Sequence, residues 1–549
     1  MSAAKRLGTL GCVGLLATTA ACGSTASTGA KAGPSAKITM GTVSAYSSLD
    51  PAGAYDYGSW LLFYNVYQGL MTYQPGANVP SPDAAHKCDF TDSSYLTYHC
   101  TLNPGLKFSN GDPLDAAAVK FSFDRVIKIG TEKGADGKPA DNGSGVSVLL
   151  NTMKSVEISG TQDITFHLST ADATFPDRLA SGVGQIVDPK TYSGTQLMNG
   201  TDVVGSGIYK VDSVQTKPDA KGNPVPVSVK MSLNPNYQGA ASKPQNASMT
   251  LNYYDTPAQV KTALVNGDID LNASNDLAPG DVVAMQGTQQ LGKGLQVIEG
   301  AGTNTRMMVL NTKVAPFNNI AVRQAVARLI DRNAIARDAY NHTVTPLYSV
   351  IPQGIGDQTT AFWTAYGEEP EHPDAVKKTL PGVHLPISFT MTYTANASAG
   401  KAEAEQIKKA LEVGGIFKVT LASVPTLHEL GQLWSGGQVP ASTTGWQPDY
   451  PDPDDYISPF MGDPGVFGSH YASPKIMNQL VPQSLKEVNR ADQATADTYL
   501  EIQKQIAIDA PFIPLWQNKQ YVVTQANVTG VPLTLDAAAI MRFWMIGKS

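Results

Sequence analysis

Acids crowd one short run of this chain, Gly445-Trp446-Gln447-Pro448-Asp449-Tyr450-Pro451-Asp452-Pro453-Asp454-Asp455. Carboxylates at that density can hold a divalent cation or act as acid and base in a hydrolysis. A calcium loop of the EF-hand kind needs another spacing and a glycine that this run lacks, so Asp452, Asp454 and Asp455 read as turn residues. Asp449 can cap the turn before Pro451, because Asp, Pro and Tyr crowd any loop. Elsewhere the enzyme signals fail. His428-Glu429 begins like a zinc helix, but Leu430, Gly431 and Gln432 follow. No Gly-x-Ser-x-Gly elbow occurs, and Gly137-Lys138 runs into Pro139 with Glu132 where a phosphate loop needs glycine. The 8 histidines are scattered singly. These patterns call for no catalytic residue, metal or cofactor and leave a secreted hydrolase as a distant alternative class.

The N-terminus reads as an address. Lys5 and Arg6 precede an apolar run from Leu7 to Ala17, and small residues lead to Ala20-Ala21-Cys22. A basic start, a core shorter than a membrane span and a small-residue cut describe an export signal over residues 1–21. A cysteine directly after the cut resembles the bacterial lipobox, whose thiol carries diacylglycerol; Thr19 stands where that pattern prefers leucine. The resemblance implies lipid on Cys22, enough acyl chain for a stable anchor on the outer face of the cytoplasmic membrane. The plain alternative is a secreted chain cut elsewhere. Residues 22–36 then make a small-residue tether.

Cys12 leaves with the signal, so Cys88 and Cys100 remain, 12 positions apart, in a chain that reaches an oxidising space. A disulfide across a hairpin turning at Asp92-Ser93-Ser94 is the economical expectation; a metal pair joined by the flanking His86 and His99 is the alternative. Cleavage takes the net charge from −7 to −9, and no Lys/Arg cluster offsets it, which argues against nucleic acid and polybasic membrane contact. A chain of 549 residues exceeds what one core holds, so at least two domains are expected.

Several elements must hold those residues. Met307–Leu310 is strand-like, Pro316 stops it, and Asn318 or Asn319 can cap the helix that follows. Val322, Ala325, Val326, Leu329 and Ile330 form its apolar stripe, with Arg323, Arg328, Asp331 and Arg332 mostly off it. Ile387–Thr394, Ala402–Leu411 and Ile416–Ala422 read as strand, helix, strand, which predicts a mainly parallel sheet covered by helices. Trp60–Tyr73 and Ala491–Ile508 have helical spacing, and Asp163–Leu168 reads as a strand.

The run Asn311–Ile335, N-x4-P-F-x-N-x2-V-R-x-A-x4-I-D-R, closely resembles a signature of the peptide/nickel family of extracellular solute-binding proteins, the ligand receptors of ABC importers. Other blocks follow in family order: Leu49-Asp50-Pro51 with its helix, Leu106–Ala116, Val204–Tyr209, Asn234–Tyr237, Ala263–Asp270 and Pro511–Trp516. Two depart locally, with Ala118 where an acid is usual and Ser206 and Ile208 in the glycine turn. The resemblance implies a two-lobed α/β fold of the periplasmic-binding-protein kind. Lobe one would span 37–300 with an inserted subdomain at 73–182, lobe two 301–511, and 512–549 would return to lobe one. Crossovers near Gly302 and Pro511 would form the hinge.

The acid-rich run resembles the family's G-W-x-x-D-Y-x-(D/E)-P segment. That implies an open strand edge beside a short peptide, with Asp449 gripping its amino terminus. Gly445 and Gln447 would turn backbone groups to the ligand while Pro448 faces away, where a missing N–H does no harm. Trp446 and Trp434 would line side-chain pockets, Ser44-Ala45-Tyr46 would form the opposite wall, and Arg306 would take the carboxylate or else a salt bridge. The implied partner is an ABC permease with separate ATPase subunits, served by a monomeric receptor. The same family also binds nickel, haem, opines and oligosaccharides. A sugar would lean on Trp446 and Trp434 rather than Asp449.

Overall fold

The computed structural model describes residues 34–549 apart from 135–136, 138–139, 142–143, 199, 288–293, 357–359, 398 and 438. The export signal, Cys22 and most of the tether lie outside the described residues.

One 11-stranded sheet runs through the molecule. In chain order its strands are β1 (Lys37–Thr42), β2 (Tyr209–Pro218), β3 (Pro224–Leu233), β4 (Ser248–Tyr253), β5 (Leu271–Asn272), β6 (Leu295–Leu310), β7 (Val344–Pro346), β8 (Ile387–Thr394), β9 (Phe417–Val424), β10 (Ala441–Trp446) and β11 (Phe512–Gln525). Their spatial order is β2-β3-β4-β1-β5-β11-β6-β10-β8-β9, with β7 also on β11. The parallel pairs are β1 with β4 and β5, and β8 with β9 and β10. The remaining ladders are antiparallel, so the sheet is mixed rather than mainly parallel. The predicted strand-helix-strand unit is there, over Ile387–Thr394, Gly400–Glu412 and Phe417–Val424. Hairpins and the two long strands β6 and β11 supply the antiparallel part.

Apolar side chains gather in two large cores. Met40, Phe63, Phe123, Phe166 and Val522 belong to the first. Met308, Val326, Ile407, Phe417, Ile502 and Ile513 belong to the second. Strands β6 and β11 serve both, pairing from Leu295↔Gln525 to Ala301↔Lys519 and again from Thr305↔Gln517 to Val309↔Phe512. The ladder breaks between Ala301 and Thr305. There Gly302 lies against Asn518, and a Cβ on it would fall 2.5 Å from the Asn518 carbonyl oxygen. The second crossing is therefore near Asn518, further along than Pro511, because Pro511 still accepts from Leu310 N–H within the second core.

The helix of the 311–335 signature spans Ile320–Leu329 and is capped by Asn319, whose side chain accepts from Ala321 N–H at 2.9 Å. Arg323 donates to the Asp509 and Phe317 carbonyls, and Arg332 to the Pro514 carbonyl at 2.8 Å. Both arginines tie the helix to the strand β11 and the helix before it, which is scaffold work. The Trp60–Tyr73 helix is shorter and earlier than its spacing suggested. It spans Tyr57–Val66, is capped by Asp56, and ends where Tyr67 turns extended.

A separate 4-stranded sheet pairs Ala85–Phe90, Thr97–Leu102, Asp163–Leu168 and Met153–Ser159 in that order. Cys88 and Cys100 face each other across its hairpin and are joined as a disulfide, with Cα atoms 4.1 Å apart. Closing so short a loop removes entropy from the unfolded chain worth about 2–3 kcal/mol. Replacing both cysteines by serine should lower unfolding stability by about that amount, measured by denaturant titration. Ligand affinity should stay unchanged, since no residue of the hairpin lines the cavity between the two cores.

Candidate ligand-binding site

A cavity of about 540 Å³ lies between the two cores. Tyr55, Tyr57, Trp60, Leu149 and Arg178 wall it from the first core; Trp434, Phe467 and Gly445–Tyr450 wall it from the second. Val148, Leu427 and Val466, all well exposed, put apolar surface at its rim.

Strand β10 delivers the central residues. Its ladder with β6 sets Gly445 opposite Arg306 and Trp446 opposite Thr305. On its other side β10 pairs with β8 only through Ala441 and Ser442, so Thr443–Trp446 have no strand partner there among the described residues. A Cβ at Gly445 would meet the Thr305 carbonyl oxygen at 2.9 Å, so the close ladder favours glycine. Trp446 donates Nε1–H to Asp455 at 2.9 Å and packs edge-on to Phe460 and Phe467. Trp434 donates to Ser442 Oγ at 3.1 Å and also meets Phe467 edge-on. Both tryptophans thus belong to the second core and to the cavity wall at once.

Asp449 is 7% exposed and accepts from Tyr55 O–H at 2.6 Å. Burial pushes its pKa up to about 7, against the pull of the Tyr55 hydrogen bond and of Arg178. Its own N–H donates to Asp455 Oδ2 at 2.9 Å. Asp452, Asp454 and Asp455 do turn the chain, over the short helical turn Pro453–Tyr456, but all three are buried rather than surface loop residues. Asp452 takes both arms of Arg490 at 2.8 and 2.7 Å. Asp454 accepts from Ser458 and, through burial, is raised to about 6. Tyr450, next to Asp449, packs in the first core, so this segment of the second core reaches across the gap.

Arg306 is not at the cavity. It is buried in the second core, donating to Glu403 at 2.8 Å and to Thr443 Oγ1 at 3.3 Å. Glu403 also receives Tyr340 O–H and Trp516 N–H, which completes a buried polar knot. The guanidinium that does line the cavity is Arg178, on the helix Phe175–Ala180. It donates to the Leu149 carbonyl at 3.0 Å, lies 3.0 Å from Asp172, and sits over the Tyr450 ring. Sequence reading passed it over. Its signal is local: Asp177 and Arg178 are the only charges between Phe175 and Val187, an otherwise apolar or neutral run.

Ser44-Ala45-Tyr46 divides. Ser44 borders a smaller polar cavity of about 280 Å³ at the strand crossing, which shares Tyr57 and Gln447 with the main one. Ala45 and Tyr46 stand outside both linings. The Ala45 carbonyl packs against Gly58, where a Cβ would come within 2.4 Å, and Tyr46 meets Tyr253 edge-on. Asp276 lines the polar cavity, accepts from Val43 N–H at 3.2 Å, and is raised by burial to about 7.

Comparison with known proteins agrees with this architecture. Residues 79–468 match the family described as "Bacterial extracellular solute-binding proteins, family 5 Middle". The probable D,D-dipeptide-binding periplasmic protein DdpA of Escherichia coli is 25% identical over 515 residues, covering 90% of this chain and 91% of that protein. The glutathione-binding protein GsiB of Salmonella typhi is 23% identical over 503 residues, covering 90% and 91%. Among solved structures, the periplasmic binding protein DppA of Helicobacter pylori in complex with the peptide STSA superposes with TM-score 0.74 at 20% identity, covering 94% of this chain and 98% of that one. HbpA2 of Haemophilus parasuis gives TM-score 0.75 at 19% identity, covering 94% and 100%. The two cores are the two lobes of that fold. With well over half its length matched, the chain belongs to the family 5 bacterial extracellular solute-binding proteins, which serve ABC import.

Proposed function

We propose that this receptor captures short peptides in the cavity between its lobes and delivers them, uncut, to an ABC permease driven by separate ATPase subunits. The observation that carries the reading is the buried Asp449 carboxyl beside the unpaired edge of β10. An α-ammonium matches the carboxyl, and an extended main chain matches the edge. Gly445 and Gln447 supply backbone groups, while Trp446 and Trp434 wall a side-chain pocket. Arg178, rather than Arg306, is the cation on the cavity wall. The cavity volume suits a ligand of a few residues. Two relatives are named for binding a D,D-dipeptide and glutathione, and one structural neighbour holds a peptide.

In this reading the lobes close about the strand crossings near Gly302 and Asn518, a hinge motion that buries the ligand. The protein acts as a monomer held by lipid on Cys22 at the outer face of the cytoplasmic membrane, and the Cys88–Cys100 hairpin stiffens the inserted subdomain. Aromatic walls also suit an oligosaccharide, which would lean on Trp446 and Trp434 and carries no ammonium for the Asp449 carboxyl to pair with.

Native mass spectrometry of the protein as purified should reveal a trapped ligand of peptide mass. Calorimetry with a panel of di- to pentapeptides should then give saturable binding and unchanged peptide on recovery. Binding of sugars alone, or turnover of any peptide, would overturn the reading. Asp449→Asn should cost about 2–5 kcal/mol of peptide affinity and leave any sugar affinity intact.

The same substitution has a stability signature. A carboxyl raised from 3.8 to about 7 binds its proton in the folded state where the unfolded chain has lost it. Its contribution therefore favours folding at low pH and fades as pH rises through that window. Asp449→Asn should melt alongside the parent near pH 4 and increasingly above it as the pH rises to 8, read by calorimetric scanning.

A further inference from the structure

We infer that Asp455 is a second ligand-binding carboxyl of the main cavity, that it shares one proton with Asp449, and that a ligand's ammonium displaces this proton on binding. The inference rests on the peptide reading for its ligand, and it concerns a residue that the turn chemistry of the sequence hides.

Asp455 is 1% exposed and lines the cavity beside Asp449. One of its oxygens, Oδ2, is fully used, accepting from Trp446 Nε1–H and from Asp449 N–H, both at 2.9 Å. The other, Oδ1, receives no donor among the described residues. A buried oxygen without a donor is destabilising, by the full loss of its hydration. The Asp449 N–H bond to Asp455 Oδ2 draws the two residues together and both line the same cavity, which sets their carboxyls where one proton can serve both. Two buried carboxylates in one pocket cannot both stay charged unless a cation joins them.

The groups around the pair do not supply that cation. Tyr55, from the first lobe, donates a neutral hydroxyl to Asp449. Tyr64, on the helix Tyr57–Val66, lies nearby and is itself held neutral by burial. Tyr456 spends its hydroxyl on the Thr303 carbonyl. Arg178 faces the pair from the helix Phe175–Ala180, but Asp172 is within 3.0 Å of it and Asp454 adds another acid. Arg490 is taken by Asp452. Asp449, Asp455 and Asp172 thus share one guanidinium, and Asp454 draws on both Arg178 and Arg490.

A proton between Asp449 and Asp455 relieves this in the empty site. Burial first, and then the charge of Asp449, hold the Asp455 carboxyl well above the usual range, so Asp455 is the one that carries it. A primary ammonium arrives with three N–H donors, enough for the free oxygens of both carboxyls. The carboxyl proton then leaves to solvent, so one cation replaces another and the buried charge is unchanged. Affinity for a cationic ligand therefore rises with pH until the shared proton is lost anyway.

Difference infrared spectroscopy of the unliganded protein at pH 7.5, above the value of about 7 for Asp449, tests the pair without any peptide. The parent spectrum should contain one protonated-carboxyl band that Asp455→Asn lacks. Asparagine keeps an acceptor for Trp446 and Asp449 N–H, and circular dichroism verifies its fold. Identical carboxyl bands in the two proteins would overturn the shared proton.

Calorimetry with alanyl-alanine and then longer alanine peptides, in two buffers of different ionisation heat at pH 7.5, tests the exchange. The parent should release close to one proton per peptide, and Asp455→Asn close to none, with affinity about ten- to a hundredfold weaker at pH 8. Binding with no proton release, or with affinity untouched in Asp455→Asn, overturns the exchange and leaves peptide capture standing. If no peptide binds, the peptide reading and the exchange fail together, while the infrared band still judges the carboxyl pair alone.

Discussion

Two long antiparallel strands, β6 and β11, pass through both cores, and everything functional hangs on how they do so. Backbone hydrogen bonds fix their register on each side of a short break, so each half is rigid within its own lobe. The break falls where Gly302 approaches Asn518 too closely for a side chain. Flexing can concentrate there because Gly302–Asn304 have no ladder partner on β11, whereas the second shift, between Arg306 and Met307, leaves both residues paired. Strand β10 is laid on the second half of β6, which brings Gly445 and Trp446 to the gap between lobes. The acid-rich segment that follows then has to cross to the first core, where Tyr450 packs. Ligand-facing groups are thus set by the sheet, and the sheet is set by two strands.

The cavity pairs strong apolar walls with acids that the fold itself does not neutralise. Asp449, Asp454 and Asp455 all titrate higher than free carboxyls because burial penalises their charge. Such groups weaken the empty protein at neutral pH. The contrast with Arg306 is instructive. That guanidinium and Glu403 are also buried, yet each is satisfied by Thr443, Tyr340 and Trp516, so the pair adds nothing for a ligand to complete. At the cavity, Asp455 keeps a buried oxygen for a ligand to complete, whereas Glu403 keeps none.

Much of this was legible in order along the chain. The cap at Asn319, the strand-helix-strand unit after Ile387 and the hairpin between Cys88 and Cys100 each follow from local spacing and turn chemistry. The segment beginning at Gly445 announced itself by its glycine, aromatic and acid pattern, and Asp449, Trp446, Gln447 and Trp434 do line one cavity. Other expectations failed for non-local reasons. Arg306 looked available because no acid lies near it in sequence, and its partner Glu403 comes from a helix almost a hundred positions away. Asp455 looked like one of several turn acids, since nothing local says that it is buried.

The sequence by itself determined the elements, their order, the family blocks and the residue types available for a ligand, because caps, periodicity and turns act over a few neighbours. Only the tertiary structure decided which acids share a cavity, which arginine faces it and which is spent inside a core. Those outcomes depend on desolvation and on partners brought from distant segments, and neither leaves a mark on the residue's own surroundings in the chain.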